Sequence, residues 1–132
     1  MKRAIRQGNV YWVPLDAADE PGSGILHPHV VIQDDVISAS RISTVVVCAM
    51  TTNITRAKLP GNVLLEEGEA NLAKQSVVVV SQVSTVDKEQ LGEYIGSLSE
   101  ERMEQIFAGM RFLQQMTEAR KPVEDGGDDG LA

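Results

Sequence analysis

Short runs of apolar and β-branched residues, set apart by turn-forming residues, fill the first two thirds of the chain. Asn9-Val10-Tyr11-Trp12-Val13-Pro14-Leu15 alternates after Gly8, Val30-Val31-Ile32 follows Pro28, and residues 44–50 are nearly all apolar. Residues 62–65 follow the Pro60-Gly61 turn, and residues 76–83 form the strongest run of all. Continuous apolar runs of this length predict strands buried on both faces, as in a small barrel. No helical pattern alternates with them, which argues against a doubly wound parallel sheet. The expected class is mainly β with a C-terminal helix.

The period then changes. Asp87-Lys88-Glu89-Gln90-Leu91 pairs an N-capping residue with Gln three positions on, predicting one or two helical turns. From Ser99 to about Met116, the residues Met103, Ile106, Phe107, Met110 and Leu113 recur at helical spacing. Ser99 suits the N-cap, and Glu100 and Glu101 suit the positive end of the helix dipole. Residues 16–26, rich in Gly, Asp and Glu, read as a long loop. Residues 118–132 read as a disordered acidic tail behind a domain over 1–117.

At 132 residues the chain has the size of one domain. Its net charge of −7 excludes a protein that coats nucleic acid or anionic membrane by bulk charge. The charge is divided. Residues 1–58 hold six basic and five acidic side chains, and residues 59–132 hold six basic and fourteen acidic. A polyanion should therefore meet the N-terminal half. Cys48 is the single cysteine, which excludes a disulfide framework and a Cys-based zinc site. Its apolar neighbours predict a small buried hydrophobe. No signal-like N-terminus and no run of about 18 apolar residues is seen, so a cytoplasmic protein without a membrane span is expected.

Few residues could carry chemistry. His27 and His29 flank Pro28, and an extended segment would point both imidazoles to one face. Histidine there could shuttle protons near neutrality, or both could be ordinary turn histidines. Thr51 and Thr52 end a buried run, where a hydroxyl can donate to a phosphate or simply close a turn. Asn53, Arg56 and Lys58 follow with a local excess of positive charge, which with Lys2, Arg3 and Arg6 forms the best candidate phosphate-binding face. The alternative is a solvated loop. No spacing suggests a metal site, no Gly-rich loop opens a helix, and no G-x-S-x-G elbow occurs, so no metal or cofactor is expected. The aromatics are few and scattered, unlike a base-stacking platform.

The order of segments resembles the PemK/MazF toxin family. Gly8-Asn9-Val10-Tyr11-Trp12-Val13 is similar to its first strand, and Pro28-His29-Val30-Val31-Ile32-Gln33 to its second. Thr51, Arg56-Ala57-Lys58-Leu59-Pro60-Gly61-Asn62-Val63, Gln75-Ser76-Val77, Gln82 and Thr85-Val86-Asp87-Lys88 follow in order, and Ile95-Gly96-Ser97-Leu98-Ser99 opens the last helix. The resemblance covers roughly residues 6 to 116. It implies an SH3-like barrel with a C-terminal helix, a homodimer, and the toxin half of a type II toxin–antitoxin pair with a cognate antitoxin as partner. It further implies a metal-independent endoribonuclease that cuts single-stranded RNA at short sequences, leaving 2′,3′-cyclic phosphate and 5′-hydroxyl ends.

Carried over residue by residue, the family's catalytic hydroxyl falls on Thr51. The family's catalytic arginine falls on His27, and Ser84 stands where many members carry a second arginine. Imidazole could replace guanidinium as acid or base, but would be the poorer permanent phosphate clamp. Catalysis is therefore expected from His27 and Thr51, and RNA binding from His29, Thr52, Asn53, Arg56, Lys58, Gln82 and Ser84. The lost arginines also admit a catalytically weakened module that binds RNA, an antitoxin peptide or another protein. The acidic tail suggests a segment that could lie in the RNA groove, against the simpler role of keeping the chain soluble.

Overall fold

The computed structural model describes residues 3–14 and 25–125, with side chains as far as Gln115 in the last helix. The expected loop at 16–26 therefore lies outside the described residues up to position 24, and the expected acidic tail from position 126 onwards. Six strands form one sheet: β1 (Asn9–Pro14), β2 (Leu26–Val31), β3 (Thr44–Thr51), β4 (Val63–Leu65), β5 (Ser76–Asp87) and β6 (Tyr94–Ser97). Their order is β4-β5-β3-β2-β1-β6, and every pairing is antiparallel. The sheet curls into a half-barrel with a C-terminal helix, the mainly β architecture expected from the sequence. Two helices complete the fold, a one-turn α1 (Asp35–Ser38) and the long α2 (Glu100–Asp125).

The near-continuous apolar runs have a direct cause: both faces of the central strands are covered. Val10, Val30, Cys48 and Met50 pack with Leu65, Val78 and the α2 residues Met103 and Ile106 on one face. Tyr11, Val13, Val31, Val45 and Val47 form a second cluster on the other. Phe107 and Met110 lean on the first cluster from α2, as the helical stripe predicts. Ile106 is wholly buried, so truncating it to Ala should cost about 2–5 kcal/mol. Ser99 caps α2 as expected, its Oγ accepting from the Arg102 N–H at 3.2 Å.

The β3–β5 ladder is broken in one place. Cys48 pairs with Val83, yet Met50 pairs with Val78, so β5 carries extra residues there. The freed Val80 N–H donates to Asn62 Oδ1 at 3.1 Å, and the Cys48 thiol donates to the Val79 carbonyl at 3.1 Å. Burial pushes the Cys48 thiol up to about 12, which leaves it an inert core group, as its surroundings suggest. Upstream of the break β5 is buried; downstream, residues 81–85 are exposed.

Four elements have no counterpart in the sequence reading, the first a three-ten turn at Ile54–Lys58. Ile95-Gly96-Ser97 does not open the last helix but belongs to β6, an edge strand on β1 with Val10 opposite Gly96. α1 is a single turn capped by Asp34, which accepts from the Val36 N–H at 2.9 Å. A three-ten turn at Glu69–Asn71 contacts β6. At the other end of the first cluster α2 crosses the Gly61 turn so closely that a Cβ on Gly109 would collide with the Gly61 carbonyl. Gly61 itself has φ +87°, a conformation that L side chains rarely adopt.

Candidate active site

A cleft of about 590 Å³ opens where β2 and β3 part company, within the usual range of ligand clefts. Pro28 helps to explain the opening. Across β1 and β2 it faces Trp12, whose N–H donates to the Glu93 carbonyl at 3.1 Å and whose carbonyl accepts from the Gly92 N–H at 2.7 Å. Trp12 thus spends its backbone groups on the β6 side, and the Pro28 ring nitrogen points away from β1, toward β3. It has no hydrogen to offer there. The β2–β3 ladder stops one residue earlier, at His29 opposite Ala49.

Beyond that last rung β2 and β3 no longer pair with each other, although His27 still pairs with Val13 on β1 and Thr51 with Val77 on β5. In the same register the next equivalent pair would set His27 opposite Thr51. Both residues line the cleft, with Thr52 beside them. The Thr51 Oγ1 accepts from the Asn53 N–H at 3.1 Å, which fixes the oxygen and leaves the hydroxyl proton free to donate. His27 is half-buried. Its carbonyl accepts from His29 Nδ1 at 2.9 Å, so the proton of His29 sits on Nδ1.

His29 itself is 3% exposed and does not line the cleft. Burial holds its imidazole below the ordinary value, against the opposite pull of the carbonyl bond, and the neighbouring His27 adds to the lowering. The two histidines are therefore not equivalent. One faces the cleft, and the other, neutral, is fixed to its backbone.

The remaining expected residues separate. Asn53 caps the three-ten turn at Ile54–Lys58, its Oδ1 accepting from the Thr55 N–H at 3.2 Å and the Thr55 hydroxyl at 2.6 Å. Arg56 and Lys58 lie on that turn, Gln82 and Ser84 on the exposed half of β5, and none of the four lines the cleft. Arg6 approaches Asp35 at 3.9 Å in an exposed pair, and Arg3 stacks on the Tyr94 ring at 3.7 Å from its centroid. Lys2 lies outside the described residues.

The other cleft residues come from the acidic half. Asn71, Leu72, Ala73, Lys74 and Ser76 form one wall, and Glu93, Tyr94 and Ile95 the floor near Trp12. The cleft thus draws on both halves of the chain. Trp12 and Tyr94, far apart in sequence, both line it, although the aromatics looked scattered along the chain. The signal for that wall was present as Lys74-Gln75-Ser76 before a strong strand, but its facing partner could not be read from spacing.

The PemK-like, MazF-like toxins of type II toxin–antitoxin systems match this chain over residues 6–113. The endoribonuclease MazF of Staphylococcus saprophyticus is 35% identical over 103 residues, covering 77% of this chain and 84% of its own length. The fold is also similar to MazF from Deinococcus radiodurans, with a TM-score of 0.68 at 16% identity over 87% of this chain and all of that one. A mycobacterial endoribonuclease solved with its cognate antitoxin gives a TM-score of 0.65 at 19% identity, covering 86% of this chain and 96% of that one.

Proposed function

Because this chain belongs to the PemK-like, MazF-like toxin family of type II toxin–antitoxin systems, we propose that it is a toxin endoribonuclease that cuts single-stranded RNA in the cleft between β2 and β3. The observation that carries the reading is the open rung: an imidazole and a hydroxyl with a free proton, on facing strands, in one cleft.

The reaction suited to these groups is internal transfer at phosphorus. The RNA 2′-oxygen forms a bond to the adjacent phosphorus, and the bond from phosphorus to the 5′-oxygen breaks. The 2′-hydroxyl loses its proton to a base, the leaving 5′-oxygen gains one from an acid, and the products are a 2′,3′-cyclic phosphate and a 5′-hydroxyl. His27 acts as the acid or the base. Thr51 donates to a phosphate oxygen as its charge grows. His29 holds the His27 backbone still. Thr52 completes the same edge of the cleft, and Asn53 holds the turn that follows it.

Arg56, Lys58, Gln82 and Ser84 belong to this reading as outlying contacts for longer RNA. A homodimer and a cognate antitoxin are its expected protein partners, in a cytoplasmic setting. Incubating the purified chain with a mixed RNA pool and sequencing the ends tests it. Defined cuts bearing cyclic phosphate, unaffected by a chelator, are the expected result. RNA that is bound but never cut would instead establish the weakened binding module that the missing arginines suggest.

A further inference from the structure

We infer that Lys74 is the phosphate-binding cation of the cleft, carried on a wall built to hold it still. The inference rests on the nuclease reading above and names a residue for the same site. Among the described residues that line the cleft, Lys74 is the one lysine or arginine. It is exposed and forms no ion pair among the described residues, although Glu93 lines the same cleft. A free ammonium in a cleft that must hold a phosphate is a binding group waiting for its anion.

The wall around it is unusually constrained. Ala70 and Asn71 adopt φ +50° and +61°, the left-handed region that costs a non-glycine residue about 1 kcal/mol or more. Surrounding bonds hold them there. Asn71 Nδ2 donates to the Ile95 carbonyl at 3.0 Å, and the Gly68 N–H donates to the Leu72 carbonyl at 2.9 Å. Gly96 leaves no room for a Cβ beneath the Ala70 carbonyl, so turn and β6 are in direct contact. Arg102 of α2 grips Glu69 with two bonds, Nε to Oε1 at 3.0 Å and Nη2 to Oε2 at 2.7 Å.

The same holds on the far side of Lys74. The Gln75 amide donates to Glu66 Oε1 at 2.9 Å, and the buried Ser76 hydroxyl donates to the Lys74 carbonyl at 3.0 Å. The backbone of Lys74 is thus fixed by neighbours on both sides while its ammonium is left unpaired. A merely solvated lysine needs no such support; a phosphate clamp is improved by it, because less freedom is lost on binding. The wall leads into β5, whose Val77 pairs with Thr51, so Lys74 lines the same cleft as His27 and Thr51.

The test uses the full chain as wild type, Lys74→Gln and Lys74→Arg. Binding is measured with a single-stranded RNA whose 2′-hydroxyls are methylated, so that it cannot be cut, over a range of salt. Cleavage is measured with ordinary RNA. Lys74→Gln should bind about tenfold more weakly at low salt, because one charged phosphate contact is lost. Its plot of log affinity against log salt should be shallower by about 0.7, the value of one phosphate contact on a single strand. Lys74→Arg should restore both, and melting temperatures should agree across all three. Wild-type cleavage with an unchanged salt slope in Lys74→Gln overturns the role of Lys74 alone. A wild-type chain that neither binds nor cuts RNA overturns the nuclease reading and this inference with it.

Discussion

The Nδ1–H of His29 donates to the carbonyl oxygen of His27 across 2.9 Å, so a buried imidazole on one strand position fixes the backbone of a cleft-lining imidazole two positions earlier. Because burial depresses the His29 value from 6.5, the unfolded chain binds more protons than the folded one as pH falls below about 6.5. Stability from the neutral ring is present above that value and is lost as pH falls toward the folded one. Melting temperature should therefore drop between about pH 7.5 and about pH 5.5, and the drop should shrink in His29→Gln. An identical pH profile in the variant would remove His29 as its cause. The Arg102 bonds hold the Glu69 carboxyl below its ordinary 4.5, so its loss falls in a separate, more acidic window.

His27→Ala leaves the carbonyl that His29 uses, so the fold should persist while the chemistry fails. RNA cleavage should fall by about two orders of magnitude or more, the usual contribution of a general acid or base. Affinity for the methylated RNA should change far less. Cleavage at the wild-type rate would sink the role given to His27.

Thr51 separates hydroxyl from shape. Thr51→Ser keeps the oxygen that accepts from Asn53 and should retain most activity. Thr51→Val keeps the bulk, loses that bond at a cost of about 1 kcal/mol in stability, and should lower kcat by about tenfold or more. Equal kinetics in the two variants, measured where both are fully folded, would show that Thr51 only closes a turn.

At the crossing of α2 and the Gly61 turn, Gly109→Ala places a methyl group against a backbone carbonyl that cannot retreat. Alanine would favour an isolated helix by about 1 kcal/mol. The clash should more than reverse that and lower stability by about 1–3 kcal/mol, read as a shift in denaturant midpoint. A stabilised variant would show that the turn yields.

The strands were legible wherever burial on both faces gave an unbroken apolar run, as in residues 44–50 and 76–80. α2 was legible because Met103, Ile106 and Phe107 keep a helical period against a single surface. β6 was not, since Tyr94-Ile95-Gly96-Ser97 is short and its pairing with Asn9 and Val10 is a contact between distant segments. The same limit governs the site. His27 and Thr51 stand out by residue type at the ends of strands, but Lys74 joins their cleft only because β5 pairs with β3, with Val77 beside Thr51. His29 was expected to share a face with His27 and bind RNA, but it is buried and does not line the cleft.

The end of the β2–β3 ladder at His29 and Ala49 makes a pivot. His27 and Thr51 stand on two arms beyond it, each two residues out and each held by its outer neighbour, His27 opposite Val13 and Thr51 opposite Val77. The gap between them is set by the angle at which the arms diverge, so a small change of twist at the pivot is magnified at their tips. Catalytic strength in this molecule should thus respond to substitutions at Ala49, which does not line the cleft. A partner that wedges the arms apart would silence the site without covering it.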